Sequence, residues 1–208
     1  MSELHPEVTK VRFERTFCMI KPDGVMRGLT GDIISRIERA GLKIVAMKMV
    51  HATEEQVKAH YPVSDEVWVT RLGSKSLGSF ENLSVSAEEI LGTTDKKQIG
   101  QDVVKNLISF MTSGPVICMV VEGVQSVAMM RKLAGATLPF MADMGTIRGD
   151  YSVDSPAVAN AQQRSIHNLF HASETLEEVQ QEIDVWFKGE TIHDYKLGNE
   201  ATLYGKFY

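Results

Sequence analysis

Four short apolar runs, at residues 15–20, 42–50, 115–121 and 168–170, are each followed by a stretch with helical spacing. This alternation limits the fold more than any other feature. The resulting order is strand, helix, strand, helices, strand, helix, strand, helix. It lacks the repeated strand–helix length of a doubly wound sheet and fits a small antiparallel sheet with helices on one face, an α+β layer. The first run stops at Lys21-Pro22-Asp23-Gly24, where proline has no N–H for a ladder and Asp-Gly favours a turn. Residues 27–40 carry Ile33, Ile34 and Ile37 on one helical face and end at Gly41. Thr53 and Gln56 form a capping-box pair at the head of a short helix over 53–61. Helical spacing returns over 101–111, 124–134 and 175–187.

Between these elements the pattern loosens. Residues 62–100 hold Gly73, Gly78, Gly92 and many Ser and Thr, with amphipathic pieces only at 67–72 and 87–91, and read as a surface elaboration too long for a plain loop. Residues 136–151 read as a loop, 152–163 as a helical insertion, 188–208 as an irregular tail and 1–11 as a loose polar arm. A length of 208 residues suggests one domain, 1–208, carrying these additions.

A net charge of -5 argues against a nucleic-acid scaffold while leaving room for a local basic pocket. Cys18 and Cys118 sit inside apolar runs without metal-ligand spacing and read as buried thiols of a cytoplasmic protein. No stretch reaches membrane-spanning length, and the N-terminal residues lack the apolar region of a signal peptide.

The chemistry gathers at Asn168-Leu169-Phe170-His171-Ala172-Ser173-Glu174. Ser173 precedes a polar run with Leu176, Val179 and Ile183 on one face, the position of a helix N-cap. His171 then stands at a strand-to-helix junction with its ring presented, where a neutral imidazole can attack phosphorus or bind a metal. A lone histidine in an apolar run is more often packed than catalytic. What strengthens the reading is the set of loops and strand ends carrying Lys21, Arg131, Thr137, Arg148 and Asn168. If they converge, two guanidinium forks, an ammonium, a hydroxyl and an amide surround one imidazole, the inventory a polyphosphate needs. Walker-type, GxGxxG and HExxH motifs are absent from the sequence. His5, His51, His60, His167 and His193 read as bystanders, and Trp186 and Phe187 as core residues of the last helix.

Four segments, in this order, resemble those of nucleoside diphosphate kinases: Arg15-Thr16-Phe17-Cys18-Met19-Ile20-Lys21-Pro22-Asp23-Gly24, Ser113-Gly114-Pro115-Val116, Gly145-Thr146-Ile147-Arg148-Gly149-Asp150 and Asn168-Leu169-Phe170-His171-Ala172-Ser173. The resemblance covers most of residues 15–187, with 62–100 and 152–163 as insertions. It implies a ferredoxin-like α+β core with helices packed on an antiparallel sheet. It also implies transfer of the terminal phosphoryl group of a nucleoside triphosphate, typically ATP, to a diphosphate by a ping-pong route through a phosphohistidine. Carried over by position, His171 is the nucleophile, Ser173 and Glu182 support it, and Lys21, Arg131, Thr137, Arg148 and Asn168 bind phosphates and sugar. Tyr61 lies near the γ-phosphate. Mg²⁺ rides on the nucleotide phosphates without a dedicated protein cage.

The same resemblance implies a homo-oligomer, a hexamer before a dimer or tetramer. The family clamps the base between an aromatic and an aliphatic side chain. Counting back from Gly114-Pro115 puts Val103 and Leu107 there, whereas counting forward puts Trp68 near the first position. Phe140 and Met141 are apolar where the family's loop is usually polar, which suits a subunit contact. A non-catalytic nucleotide-binding module on the same fold is the second reading, although every phosphate ligand is present. A ferredoxin-like RNA-binding domain is the third, disfavoured by the negative charge.

Overall fold

The computed structural model describes residues 13–204. The arm over 1–11, with His5, and the last four residues of the tail lie outside them. The chain runs β1 (Glu14–Ile20), α1 (Pro22–Met26), α2 (Thr30–Arg39), β2 (Lys43–His51), α3 (Glu54–His60), α4 (Glu66–Asn82), α5 (Ala87–Leu91) and α6 (Lys96–Met111). It continues with β3 (Pro115–Gly123), α7 (Ser126–Ala134), α8 (Ile147–Tyr151), α9 (Pro156–Ala161), β4 (Phe170–Ala172), α10 (Leu176–Phe187) and α11 (Glu200–Tyr204). The sheet order is β2-β3-β1-β4 and every neighbouring pair is antiparallel. Four strands in this order, with helical crossovers, make the ferredoxin-like α+β fold.

Helices cover both faces of the sheet, not one. Cys18 and Ile20 of β1 point with Met119 and Val121 of β3 toward Ile33 and Ile37 of α2 and Met130 of α7. Phe17 and Met19 point the other way with Cys118 and Val120, toward Val57 of α3, Phe110 and Met111 of α6, and Trp186 and Phe187 of α10. The physical reason lies in β1 itself: Thr16 to Ile20 is an unbroken buried run rather than an alternation, as a strand buried on both faces requires. Cys18 and Cys118 are free and buried, and burial pushes both thiols up, Cys118 to about 12.

Further expectations are corrected by the structure. Asp23-Gly24 does not form a turn but belongs to α1, whose first turn also holds Pro22, where the missing N–H is no loss. Inside that helix Gly24 gives room for a close approach, since a Cβ there would meet Ile20 Cγ2 at 2.7 Å and the Leu169 carbonyl at 3.1 Å. The stretch 62–100 is mostly helical, with α4 of 17 residues packed against α6. Two of its glycines serve close approach rather than loops: a Cβ on Gly73 would lie 1.9 Å from the Lys96 carbonyl, and one on Gly100 2.1 Å from that of Val69. The N-cap of α10 is Thr175, whose side chain accepts from the Glu178 N–H, and not Ser173. The nominal loop at 136–151 contains a 3-10 turn, Pro139–Met141, and α8, and the tail contains α11.

No helix among the described residues is long and apolar enough to cross a membrane.

Candidate active site

A cavity of about 560 Å³ opens where the ends of β1 and β4 meet α3, α4 and α7. Lys21, Tyr61, Arg131, Thr137, Arg148, Asn168, His171 and Glu182 all line it, so residues far apart in sequence converge on one space.

β4 is short and runs over Phe170–Ala172 rather than 168–170, so His171 lies within the strand and not at a strand-to-helix junction, and the residue before the strand is held in an unusual shape. Leu169 sits at φ 67, a left-handed conformation that costs a branched residue energy. Three backbone tethers hold it there. The Leu169 N–H donates to Asp23 Oδ2 at 3.0 Å, the Lys21 N–H donates to the Leu169 carbonyl at 2.8 Å, and the Phe170 N–H closes a tight turn onto Asn168 at 2.7 Å. Arg148 locks the same segment from behind. Its guanidinium donates to the carbonyls of Asn168 (3.1 Å), Gly135 (2.6 Å) and Phe170. Three of its five N–H groups are thus spent on backbone. Burial pushes the guanidinium down to about 10, which still leaves it charged near neutrality.

His171 leaves this segment opposite Met19 with 18% of its side chain open. Its Nε2 lies 2.7 Å from Glu182 Oε1, reached from the middle of α10. With a carboxylate accepting there, Nε2 carries the proton and Nδ1 keeps its lone pair. Burial, then the charges of Lys21 and Arg148, push the imidazole down to about 3, so it is neutral at physiological pH. Ser173 is fully buried; its hydroxyl lies within hydrogen-bond reach of Glu182 Oε2 and of the Phe17 carbonyl. Burial raises the Glu182 carboxyl, while His60 and the Ser173 hydroxyl oppose the rise.

Lys21 Nζ donates to Asn168 Oδ1 at 2.7 Å, and Asn168 Nδ2 donates to the Thr137 carbonyl at 3.0 Å. Burial and the neighbouring Arg148 lower the ammonium to about 8. Arg131 reaches in from α7 and pairs at 2.8 Å with Glu174 Oε1, both side chains largely exposed. The buried Tyr61 hydroxyl has no partner among the described residues, so a donor is waiting in the cavity wall. Burial holds it protonated.

Two placements differ from expectation. Val103 and Leu107 lie on α6 and do not line the cavity, whereas Trp68 and Leu72 do, one turn apart on α4. The Trp68 ring stacks near Tyr61, with centroids 6.4 Å apart and planes at 27°. The position counted back from Gly114 falls on α6, whereas α4, within 62–100, forms the cavity wall.

His60 is the residue that sequence reasoning passed over. Its ring packs edge-on against His171 at 4.4 Å, and its Nδ1 accepts from Trp186 Nε1–H at 3.3 Å, 3.4 Å from Glu182 Oε1. Burial and the His171 and Lys21 charges drive it well below its ordinary range. Its position beside Tyr61 at the end of an amphipathic helix was the available signal. His167 packs on Phe110 outside the site.

The nucleoside diphosphate kinase family model matches residues 14–68 and 82–192, leaving 69–81 as the internal stretch without a match. A nucleoside diphosphate kinase of Pyrobaculum aerophilum is 45% identical over 179 residues, covering 86% of this chain and 97% of its own. The crystal structure of an NDP kinase from that organism superposes with a TM-score of 0.81 at 43% identity, over 88% of this chain and all of that one. A Borrelia burgdorferi nucleoside-diphosphate kinase, solved as a transition-state mimic with bound vanadate and ADP, gives 0.71 at 38% identity over 91% of this chain and 96% of its own. Family match, identity and fold agree with the converged site: this chain belongs to the nucleoside diphosphate kinase family.

Proposed function

We propose that this kinase moves the terminal phosphoryl group of a nucleoside triphosphate, typically ATP, to a nucleoside diphosphate through a phosphohistidine on His171. The observation that carries the reading is a neutral imidazole whose Nε2 is taken by Glu182, leaving Nδ1 as the nucleophile in a cavity walled by Lys21, Arg131 and Arg148.

Nδ1 donates its lone pair to the γ-phosphorus, and the bond from that phosphorus to the β-bridging oxygen breaks with its electrons leaving on the diphosphate. Lys21, Arg131 and Arg148 balance the charge spread over the equatorial oxygens of a loose transition state. Glu182 stabilises the positive charge that develops on the ring, and Ser173 holds Glu182 in place. A second diphosphate enters, its terminal oxygen attacks the phosphohistidine, and the imidazole departs neutral. Thr137 and Asn168 address the sugar and phosphates, Tyr61 the γ-phosphate end, and Trp68 with Leu72 the base. None of these groups reads a base edge, so low base selectivity follows.

The acidic groups in the cavity are engaged: Glu182 by His171 and Ser173, Glu174 by Arg131, and Glu178 by the Glu174 N–H. This donor set fits phosphate rather than a caged cation, so Mg²⁺ belongs to the substrate, on the phosphate oxygens, where it neutralises their charge. Two buried free thiols suit a cytoplasmic compartment. A homo-oligomer, a hexamer before a dimer or tetramer, is supported by exposed Phe140, Met141 and Met144 and by Met47 and Met49 on the edge strand β2.

Initial rates measured at several fixed ATP concentrations against a second diphosphate test the reading. Parallel double-reciprocal lines are expected; intersecting lines would mean a ternary complex and direct transfer.

A further inference from the structure

Helix α4 brings more than a platform for the base. Trp68, Arg71, Leu72 and Lys75 fall at i, i+3, i+4 and i+7, one face of the helix, and all four line the cavity. Arg71 and Lys75 lie within residues 69–81, the stretch that the family model leaves unmatched. Both are exposed, and neither forms an ion pair among the described residues. Glu174, two residues past β4, lines the same cavity and is paired with Arg131. Glu174 thus shares the cavity wall with Arg131 and with the two cations of α4. The Arg131 hydrogen bond holds its carboxyl below the usual range, and the charges of Lys75 and Arg71 add to that pull.

The Glu174–Arg131 pair is an obstacle to substrate as it stands. A polyphosphate that needs Arg131 must displace a carboxylate, and a carboxylate left unpaired beside phosphate would repel it. Exposed ion pairs of this kind are weak, so the displacement itself is inexpensive. The unresolved cost is where the Glu174 charge goes next. Of the other cations that line the cavity among the described residues, Lys21 and Arg148 are buried and hydrogen-bonded within the protein, and the two exposed ones are on α4.

We propose that Arg71 and Lys75 are nucleotide-positioning residues: they receive Glu174 when the phosphates take Arg131, and so couple phosphate binding to the helix that carries Trp68 and Leu72. The two cations act through Glu174 rather than on the phosphates. This rests on the reading of Arg131 as a phosphate ligand.

The test is a double-mutant cycle on Mg·ADP affinity by titration calorimetry, using the full chain. Arg71→Ala with Lys75→Ala is expected to weaken binding about three- to tenfold, the scale of a few exposed charge contacts acting together. In the Glu174→Gln background the same pair of substitutions is expected to have no effect, because the carboxylate they receive is gone. Arg71→Lys with Lys75→Arg, which keeps both charges, should restore wild-type affinity, a rescue that a merely structural role would not show. In steady-state assays the alanine pair should raise KM more than it lowers kcat. An unchanged Kd in the alanine pair overturns the proposal. So does an equal loss in both backgrounds, which would make the two cations direct phosphate ligands. ADP binding does not require phosphorylation of His171, so a failure of the phosphohistidine route appears in labelling and leaves this cycle readable.

Discussion

His171 Nε2 and Glu182 Oε1 lie 2.7 Å apart, and that one contact decides which ring nitrogen is free to react. Glu182→Gln keeps the hydrogen-bond acceptor and removes the charge. The substitution is expected to slow phosphohistidine formation about ten- to a hundredfold, the cost typical of losing a supporting partner behind a working imidazole. Single-turnover labelling with ATP checks it, beside a thermal melt to show that the fold is intact. A rate equal to wild type would mean that Glu182 orients the ring without stabilising its charge.

Lys21 gives the reaction an alkaline limit. Its ammonium is lowered to about 8 by burial and by Arg148, so it is mostly charged at pH 7 and loses its charge as pH rises through 8. The profile of kcat/KM for ATP, which reports the free enzyme, should fall with an apparent pKa near 8. Because His171 stays neutral down to about 3, the same profile should show no acid limb from that ring above pH 5.

The two packed histidines make the fold acid-sensitive. His171 and His60 both have folded-state pKa values below their unfolded value near 6.5. The unfolded chain therefore binds protons that the folded chain excludes. The sign follows: stability is full above about pH 6.5 and falls as pH drops toward the folded values. Melts at pH 7.5 and 5 should show a larger drop for wild type than for His171→Asn, which removes one of the two titrations. Equal drops would assign the acid sensitivity to the carboxylates.

Trp68 on α4, rather than Val103 or Leu107 on α6, should contact the base. Trp68→Ala is expected to cost about 1–3 kcal/mol of nucleotide affinity, the usual worth of one base–aromatic stack, and to do so alike for adenine and guanine nucleotides. Val103→Ala should leave the KM for ATP unchanged. The opposite pattern would restore the assignment counted back from Gly114.

Exposed Phe140 and Met141 sit on the 3-10 turn that follows α7, with 50% and 62% of their surfaces open. Replacing both by serine is expected to lower the assembly state in sedimentation velocity. A sedimentation coefficient equal to wild type would place the contact elsewhere, with the edge strand β2 the next surface to alter.

What could be read from the chain depended on how local the signal was. The first three strands announced themselves through apolar runs bounded by Pro22, Gly41 and Gly123, whereas the fourth is shifted from 168–170 to Phe170–Ala172, because Leu169 adopts a positive φ and cannot join the ladder. His171, Lys21 and Arg148 stood out because their neighbours form contiguous motifs. The side of the sheet that helices would cover was harder, since a run such as Thr16 to Ile20 looks the same whichever face a helix takes first. Gly73 and Gly100 misled for a physical reason: the absence of a Cβ can mean a turn or a helix crossing, and only the partner carbonyls of Lys96 and Val69 decide. His60 was passed over because its role depends on two groups more than a hundred residues away, His171 and Trp186.

The central claim is a covalent intermediate on His171. The most direct measurement is incubation with γ-labelled ATP and Mg²⁺, followed by gel analysis after alkaline and acid treatment. An alkali-stable, acid-labile label that is chased by GDP and absent from His171→Ala is the expected result. Label retained in His171→Ala, or wild type that binds nucleotide and takes no label, would contradict the account and favour a non-catalytic nucleotide-binding module.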